Sequence, residues 1–252
     1  MSPTLQEIAW YRAFGLLIDA IDKEDFWHLL VRRLEELVAF DNWVALAFVE
    51  KRPYLLAESP ALDGGPDPLF RDYLSGIYLI DPFYRVNCES PQTGLFRLRD
   101  VAPDCFEQTD YYQRYFRLNI VADEIQYNCR IDGQRMLCLS FGARHLFSET
   151  DIAQLSLMQP WVLALMRQRM HFEEPATTGS GHQETLETLR GLLTGREFDV
   201  CQLMLGGHSS KEIAKRLSIS LDTVKTHKRH IYGKLNINTQ SELFAYFLQG
   251  QQ

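Results

Sequence analysis

Apolar residues recur at Phe26, Leu29, Leu30, Leu34, Leu37 and Val38, one stripe of a 3.6-residue helix. Asn42 to Val49 is apolar at both phases of a two-residue repeat, which predicts a strand covered on both faces. Glu124 to Ile131 and Gln134 to Phe141 read as two strands joined at Asp132-Gly133, a pair suited to a type I′ turn. That turn sets Cys129 opposite Met136 and Tyr127 opposite Cys138, on one apolar face. Ser148 with Asp151 resembles a capping box. It opens a long helix through Ile152, Leu155, Met158, Val162, Leu165 and Met166, with a kink expected at Pro160. Helices bracketing an antiparallel sheet predict an α-β-α sandwich.

The periodicity stops at Glu173. The stretch from Glu173 to His182 carries Pro, Gly and small polar residues, as a linker does. The expected organisation is a first domain over 1–172, a linker over 173–184 and a second domain over 185–252. In the second, Thr194 with Glu197, Ser209 with Glu212, and Thr239 with Glu242 each place a hydroxyl three residues ahead of a Glu, a helix-start signature. Ser220 can cap a further helix. Four short helices follow, at about 195–206, 209–217, 221–235 and 239–249, so the chain is α+β with an all-α second domain.

A length of 252 residues fits two such domains. Hydrophobic content of 46% and charged content of 23% are those of a soluble globular chain and exclude collagen, an acidic disordered tail and a disulfide-rich miniprotein. No apolar run approaches a bilayer-spanning length, and Glu7, Arg12 and Asp19 interrupt any secretory signal, so a cytoplasmic protein with no membrane partner is expected. The five cysteines are scattered, with no C-x-x-C, which favours a reducing compartment and disfavours a structural zinc site. No metal site and no cofactor are expected. The net charge of −7 is uneven: residues 1–184 hold 17 basic and 27 acidic residues, and 185–252 hold nine and six. Only the second domain is suited to an anionic partner.

Its chemistry can be read more sharply. Helix, tight turn and a basic second helix make a DNA-reading geometry. In 221–235, Val224, Ile231 and Leu235 share an inward face, while Lys225 and Arg229 stand at i and i+4 on the other side with Thr226 and Lys228 beside them. Arg and Lys can donate to guanine O6 and N7, and a Thr methyl suits thymine. Ser209, Lys211 and Thr223 are placed to hold phosphates. His227 and His230, an i, i+3 pair without Cys or carboxylate partners, read as packing and phosphate groups.

The segments Leu193-Thr194-Gly195-Arg196-Glu197, Gly207 to Ala214, Ile219 to His227 and Ile231 to Leu235 together resemble the LuxR-type helix-turn-helix domain over about 193–248. Ser210 and Lys228 depart from the usual residues. The resemblance implies that Lys225, Thr226 and Arg229 enter the major groove of a double-stranded operator. It also implies a homodimer contact on the fourth helix, carrying Leu243, Phe244 and Phe247, and RNA polymerase as a further partner.

Three regulator classes carry such a domain. A phosphoacceptor receiver is disfavoured, because there is no Lys-Pro and because Asp19 and Asp22 sit on an amphipathic helix. A large ATPase regulator is excluded by length and by the lack of G-x-x-x-x-G-K-[ST]. The third class senses a small molecule in an α-β-α domain of PAS/GAF-like build. Tyr78-Leu79-Ile80-Asp81-Pro82 resembles the Asp-Pro motif of the LuxR-type autoinducer-binding domain, in which the matching Asp accepts a hydrogen bond from the ligand amide. Leu69 stands where that family's first Trp falls, which removes the polar contact expected for a lactone carbonyl. The first domain is closer to a solo branch of these regulators, by Tyr111-Tyr112, Tyr115-Phe116, Val121 to Glu124, Leu139 to Gly142 and Phe147-Ser148. The expected ligand site is Asp81 with an aromatic wall of Tyr73, Tyr78, Phe96, Tyr111, Tyr112 and Tyr115. Two other readings stay open: a ligand-independent, redox- or phosphorylation-controlled regulator, and an enzyme-like first domain. The latter lacks G-x-S-x-G, H-E-x-x-H and G-x-G-x-x-G.

Overall fold

The computed structural model describes residues 5–60, 73–74, 77–109, 111–120, 122–173, 188–206 and 208–249. Leu69, Val121, Gly207 and nearly all of the expected linker lie outside them. By its internal contacts the chain forms two units, one of residues 1–65, 91–97 and 120–177, the other of residues 66–90, 98–119 and 178–252.

The first unit holds helices α1 (Leu5–Asp19) and α2 (Phe26–Glu35), strands β1 (Asn42–Val49) and β2 (Arg52–Glu58), strand β3 (Gly94–Arg97), strands β4 (Asp123–Arg130) and β5 (Arg135–Ala143), and the long helix α4 (Glu149–Arg169). The five strands make one antiparallel sheet in the order β2-β1-β5-β4-β3. One face presents Ala45, Ala47, Ile125, Tyr127, Cys129, Leu137, Leu139 and Phe141. Against it pack Phe26, Trp27, Leu30 and Leu34 of α2 and Leu155, Val162 and Met166 of α4, all essentially solvent-free. Each such side chain contributes roughly 1.5–3 kcal/mol. The buried Tyr127 hydroxyl is satisfied by donating 2.6 Å to the Leu155 carbonyl. Arg169 closes the core by donating to the carbonyls of Ile21 and Lys23 and to Glu173.

The capping box at Ser148 and Asp151 forms, and α4 runs unbroken through Pro160. The β4–β5 register differs from the type I′ expectation by one residue: Cys129 opposes Leu137, and Asn128 opposes Cys138. The turn is longer because the Asp132 carboxylate accepts from the amides of both Gln134 and Arg135 at 2.8 Å. Side chains alternate across a strand, so Cys129 and Cys138 lie on opposite faces of the sheet rather than on one. The second face is also withdrawn from water, yet it carries Glu124, Gln126, Asn128 and Ser140 beside Leu46, Phe48 and Cys138.

The second unit holds helix α3 (Pro82–Glu89), single turns at Ile77–Ile80, Leu98–Val101 and Phe106–Gln108, and a π-turn at Tyr112–Phe116. It also holds helices α5 (Gly195–Leu205), α6 (Ser210–Arg216), α7 (Leu221–Leu235) and α8 (Gln240–Gln249), within a residue or so of the expected spans. Val200, Cys201, Met204, Ile213, Val224, Ile231, Leu243 and Phe247 form the core of these four helices. Asp81 caps α3, Thr194 caps α5, Ser209 caps α6 and Ser220 caps α7. Among the described residues no helix is long and apolar enough to cross a membrane.

Candidate functional site

Helix α7 buries Val224, Ile231 and Leu235 and turns its other side outward. Lys225, Thr226 and Arg229 are exposed there. Asp222 steadies the near end: its carboxylate takes Lys225 Nζ at 3.1 Å, and its carbonyl takes the Thr226 hydroxyl at 3.0 Å. Thr223 is half-buried and shares a 2.7 Å hydrogen bond with the Ser220 hydroxyl. Lys228 is also half-buried, and that burial lowers its pKa. A half-buried lysine supplies its stem to packing as well as a cation to the surface. His227 and His230 are not joined by any metal-type cluster among the described residues.

One ion pair fixes the back of α7. Glu197 is buried, accepts from the Thr194 amide at 2.8 Å and holds Lys234 Nζ at 2.6 Å. Burial opposes its charge, but Lys234 and Thr194 outweigh it and hold the carboxyl at about 2. The capping box that starts α5 therefore also anchors the end of α7.

Ser209 and Lys211, the expected phosphate contacts, open α6. Lys211 is exposed. Ser209 accepts from the Glu212 amide at 3.2 Å, as a cap should. Its own hydroxyl and amide donate to the Asp104 carboxylate, at 2.6 Å and 3.3 Å. Glu212 turns instead to Arg216 and to His208, whose Nδ1 lies 2.8 Å from Glu212 Oε2 and makes a hydrogen bond once either carries the proton. Nothing in the local sequence marks Asp104 as a partner of Ser209, which lies 105 residues away.

The ligand candidates of the second unit do gather. Asp81 is buried, its Oδ2 accepting from the Tyr73 hydroxyl at 2.5 Å and its Oδ1 from the Phe83 amide at 2.8 Å. Burial pushes its carboxyl up to about 6, against the hydrogen bonds that pull it down. Burial likewise raises the Tyr73 hydroxyl, with the Asp81 charge adding to it. Tyr73 lies 5.8 Å from Tyr115 and 6.3 Å from Tyr78 between ring centroids, and Tyr111 lies 5.5 Å from Tyr115. Tyr112 is half-buried and stacks on Phe116 instead. Asp81 thus has a structural duty as the cap of α3, with Pro82 at the first helical position.

Phe96 belongs to the first unit, on β3, paired with Gln126 and so on the polar face of the sheet. On that face Ser140 donates to Glu124, and Gln126 donates to Asn128 at 2.5 Å. A row of buried polar groups where a core would be apolar marks a candidate binding surface. Its signal was in the sequence, since Glu124, Gln126 and Asn128 alternate with Ile125, Tyr127 and Cys129.

Residues 191–247 match the family described as bacterial regulatory proteins, luxR family. The chain is similar in structure to the LBD domain of VqsR from Pseudomonas aeruginosa, at 42% identity and a TM-score of 0.61, over 66% of this chain and 99% of that one. It is 27% identical over 183 residues to an HTH-type regulator named for the exeN 3′ region of Aeromonas salmonicida, covering 67% of this chain and 93% of that protein. It is 39% identical over 72 residues to the oxygen regulatory protein NreC of Staphylococcus carnosus, where it spans 33% of that protein's length.

Proposed function

Because the chain belongs to the luxR family of bacterial regulatory proteins and is a transcriptional regulator, not an enzyme, we propose that it reads operator DNA with the outer side of α7 as a cytoplasmic homodimer. The observation that carries this reading is the exposed row of Lys225, Thr226 and Arg229 on a helix whose opposite side is buried. Arg229 and Lys225 address base edges, with Lys228 at the rim. Ser209, Lys211 and Thr223 hold the phosphate backbone. The working division is a sensory region over 1–172, a linker over 173–184 and a DNA-binding domain over 185–252. Pairing through α8 gives two half-sites related by two-fold symmetry, and RNA polymerase is the further partner at the promoter.

A small molecule governs the DNA-binding state. Asp81, buried beside Tyr73, Tyr78, Tyr111 and Tyr115, favours a ligand with an N–H donor, because a buried carboxylate gains most from an added donor. Phe96 and the polar face of the sheet are further candidates. Retention of duplexes from a randomised pool by the purified full chain, followed by sequencing, tests the DNA reading. Two-fold symmetric half-sites are expected, and a pool that emerges unenriched overturns it. Mass spectrometry of small molecules carried by the native protein tests the ligand reading.

A further inference from the structure

Helix α3 joins the two candidate sites. Its first turn is capped by Asp81, and its later turns carry Arg85 and Glu89 to the C-terminal helices. Arg85 Nη1 donates to the Gln202 carbonyl at the C-terminal end of α5, where a cation is favoured. Gly206 makes room for it, since a Cβ there would stand 2.7 Å from Arg85 Nη1. Glu89 pairs with Arg216 of α6 at 2.7 Å. Between them, Asp104 holds the hydroxyl and amide of Ser209.

We propose that α3 and Asp104 form an autoinhibitory clamp, in which the Asp104 carboxylate occupies the Ser209 groups that a DNA phosphate must use. The proposal rests on the DNA reading above and assigns the regulation of that interface. Three observations carry it. The bond from Ser209 N–H is the one that a completed capping box gives to its own Glu, as Glu197 does for Thr194 and Asp151 for Ser148. At α6 the bond goes to Asp104 instead. Asp104 and Glu89 also set two negative charges against basic α6, where they repel a phosphate and one of them pairs Arg216. Lys225, Thr226 and Arg229 stay exposed meanwhile, so the clamp withholds a backbone contact and leaves the reading side chains bare. Its polar contacts are largely at the surface, where each is individually weak. A weak clamp can be opened by a modest shift of α3, and Asp81 sits at the base of that helix.

The test uses the full chain, a labelled mixed-sequence duplex and the variants Asp104→Ala, Glu89→Gln, Lys225→Ala and Arg229→Ala. Asp104→Ala should tighten duplex binding about three- to tenfold and steepen its salt dependence by roughly one phosphate contact. Glu89→Gln should act in the same direction and less. Hydrogen exchange at the Ser209 amide should quicken in Asp104→Ala. If wild type binds the duplex, Lys225→Ala and Arg229→Ala weaken it, and Asp104→Ala leaves it unchanged, the clamp is overturned and the DNA reading stands. If no form binds the duplex at low salt, both are overturned. If Asp104→Ala weakens binding, Asp104 supports the interface and the clamp is again overturned.

Discussion

Replacing Asp81 with Asn isolates the electrostatics of the buried carboxylate. Asn keeps the shape, still accepts from the Phe83 amide and remains a good helix cap, while the Tyr73 hydroxyl can rotate to accept from the new amide. Only the titration is lost. The Asp81 carboxyl stands at about 6 against an ordinary 3.8. That raised value makes its contribution to stability full below about pH 4, and the contribution falls away as pH rises through about 6. At 1.36 kcal/mol per pKa unit the loss by pH 7 is up to about 3 kcal/mol. Asp81→Asn should therefore match wild type near pH 4 and exceed it at pH 7 by up to about 3 kcal/mol. Urea midpoints taken across pH 4 to 7 read this directly, because all other titrations cancel in the difference. A constant gap between the two proteins across that range refutes the argument. So does an Asn variant that is less stable at pH 7.

Four further outcomes follow from the same geometry. Arg229→Ala should cost about 1–3 kcal/mol at one operator base pair and relax selectivity there, while Lys211→Ala weakens all duplexes alike; equal losses on selected and random duplexes contradict this. Lys234→Met strips the buried Glu197 of its cation and should lower the urea midpoint of the C-terminal helices, whereas Lys225→Met, at an exposed pair, should leave it nearly unchanged. Tyr73→Phe should destabilise by about 1.5–3 kcal/mol at pH 7, where a charged acceptor loses its donor; a neutral result would mean that water replaces the hydroxyl. Mild oxidant should form no disulfide between Cys129 and Cys138, because they point to opposite faces of the sheet; such a bridge in a peptide map would overturn that placement.

Local signals carried far in the C-terminal helices. Hydroxyl-to-Glu spacing marked the starts of α5, α6 and α8, and the inward row Val224, Ile231 and Leu235 oriented α7, because caps and helical faces are set within a few residues. The hairpin register was harder. Asp132-Gly133 suggested a two-residue turn, but the Asp132 carboxylate collects two amides and lengthens it, a choice between side-chain and backbone bonding that composition does not decide. The gathering of Tyr73, Asp81, Tyr111 and Tyr115 was anticipated as a set, though not the hydrogen bond that makes Tyr73 the partner of Asp81. Arg85, Glu89 and Asp104 could not be read at all, since each finds its C-terminal partner more than a hundred residues along the chain.

The central claim is that the outer side of α7 enters the groove of a duplex. Photo-crosslinking reads this most directly, with a short reactive side chain placed in turn at positions 225, 229 and 231 of the full chain bound to an enriched duplex. Crosslinks to bases from 225 and 229, and none from the buried position 231, are the predicted result. Crosslinks absent from both 225 and 229, with the protein still holding the duplex, would contradict the account.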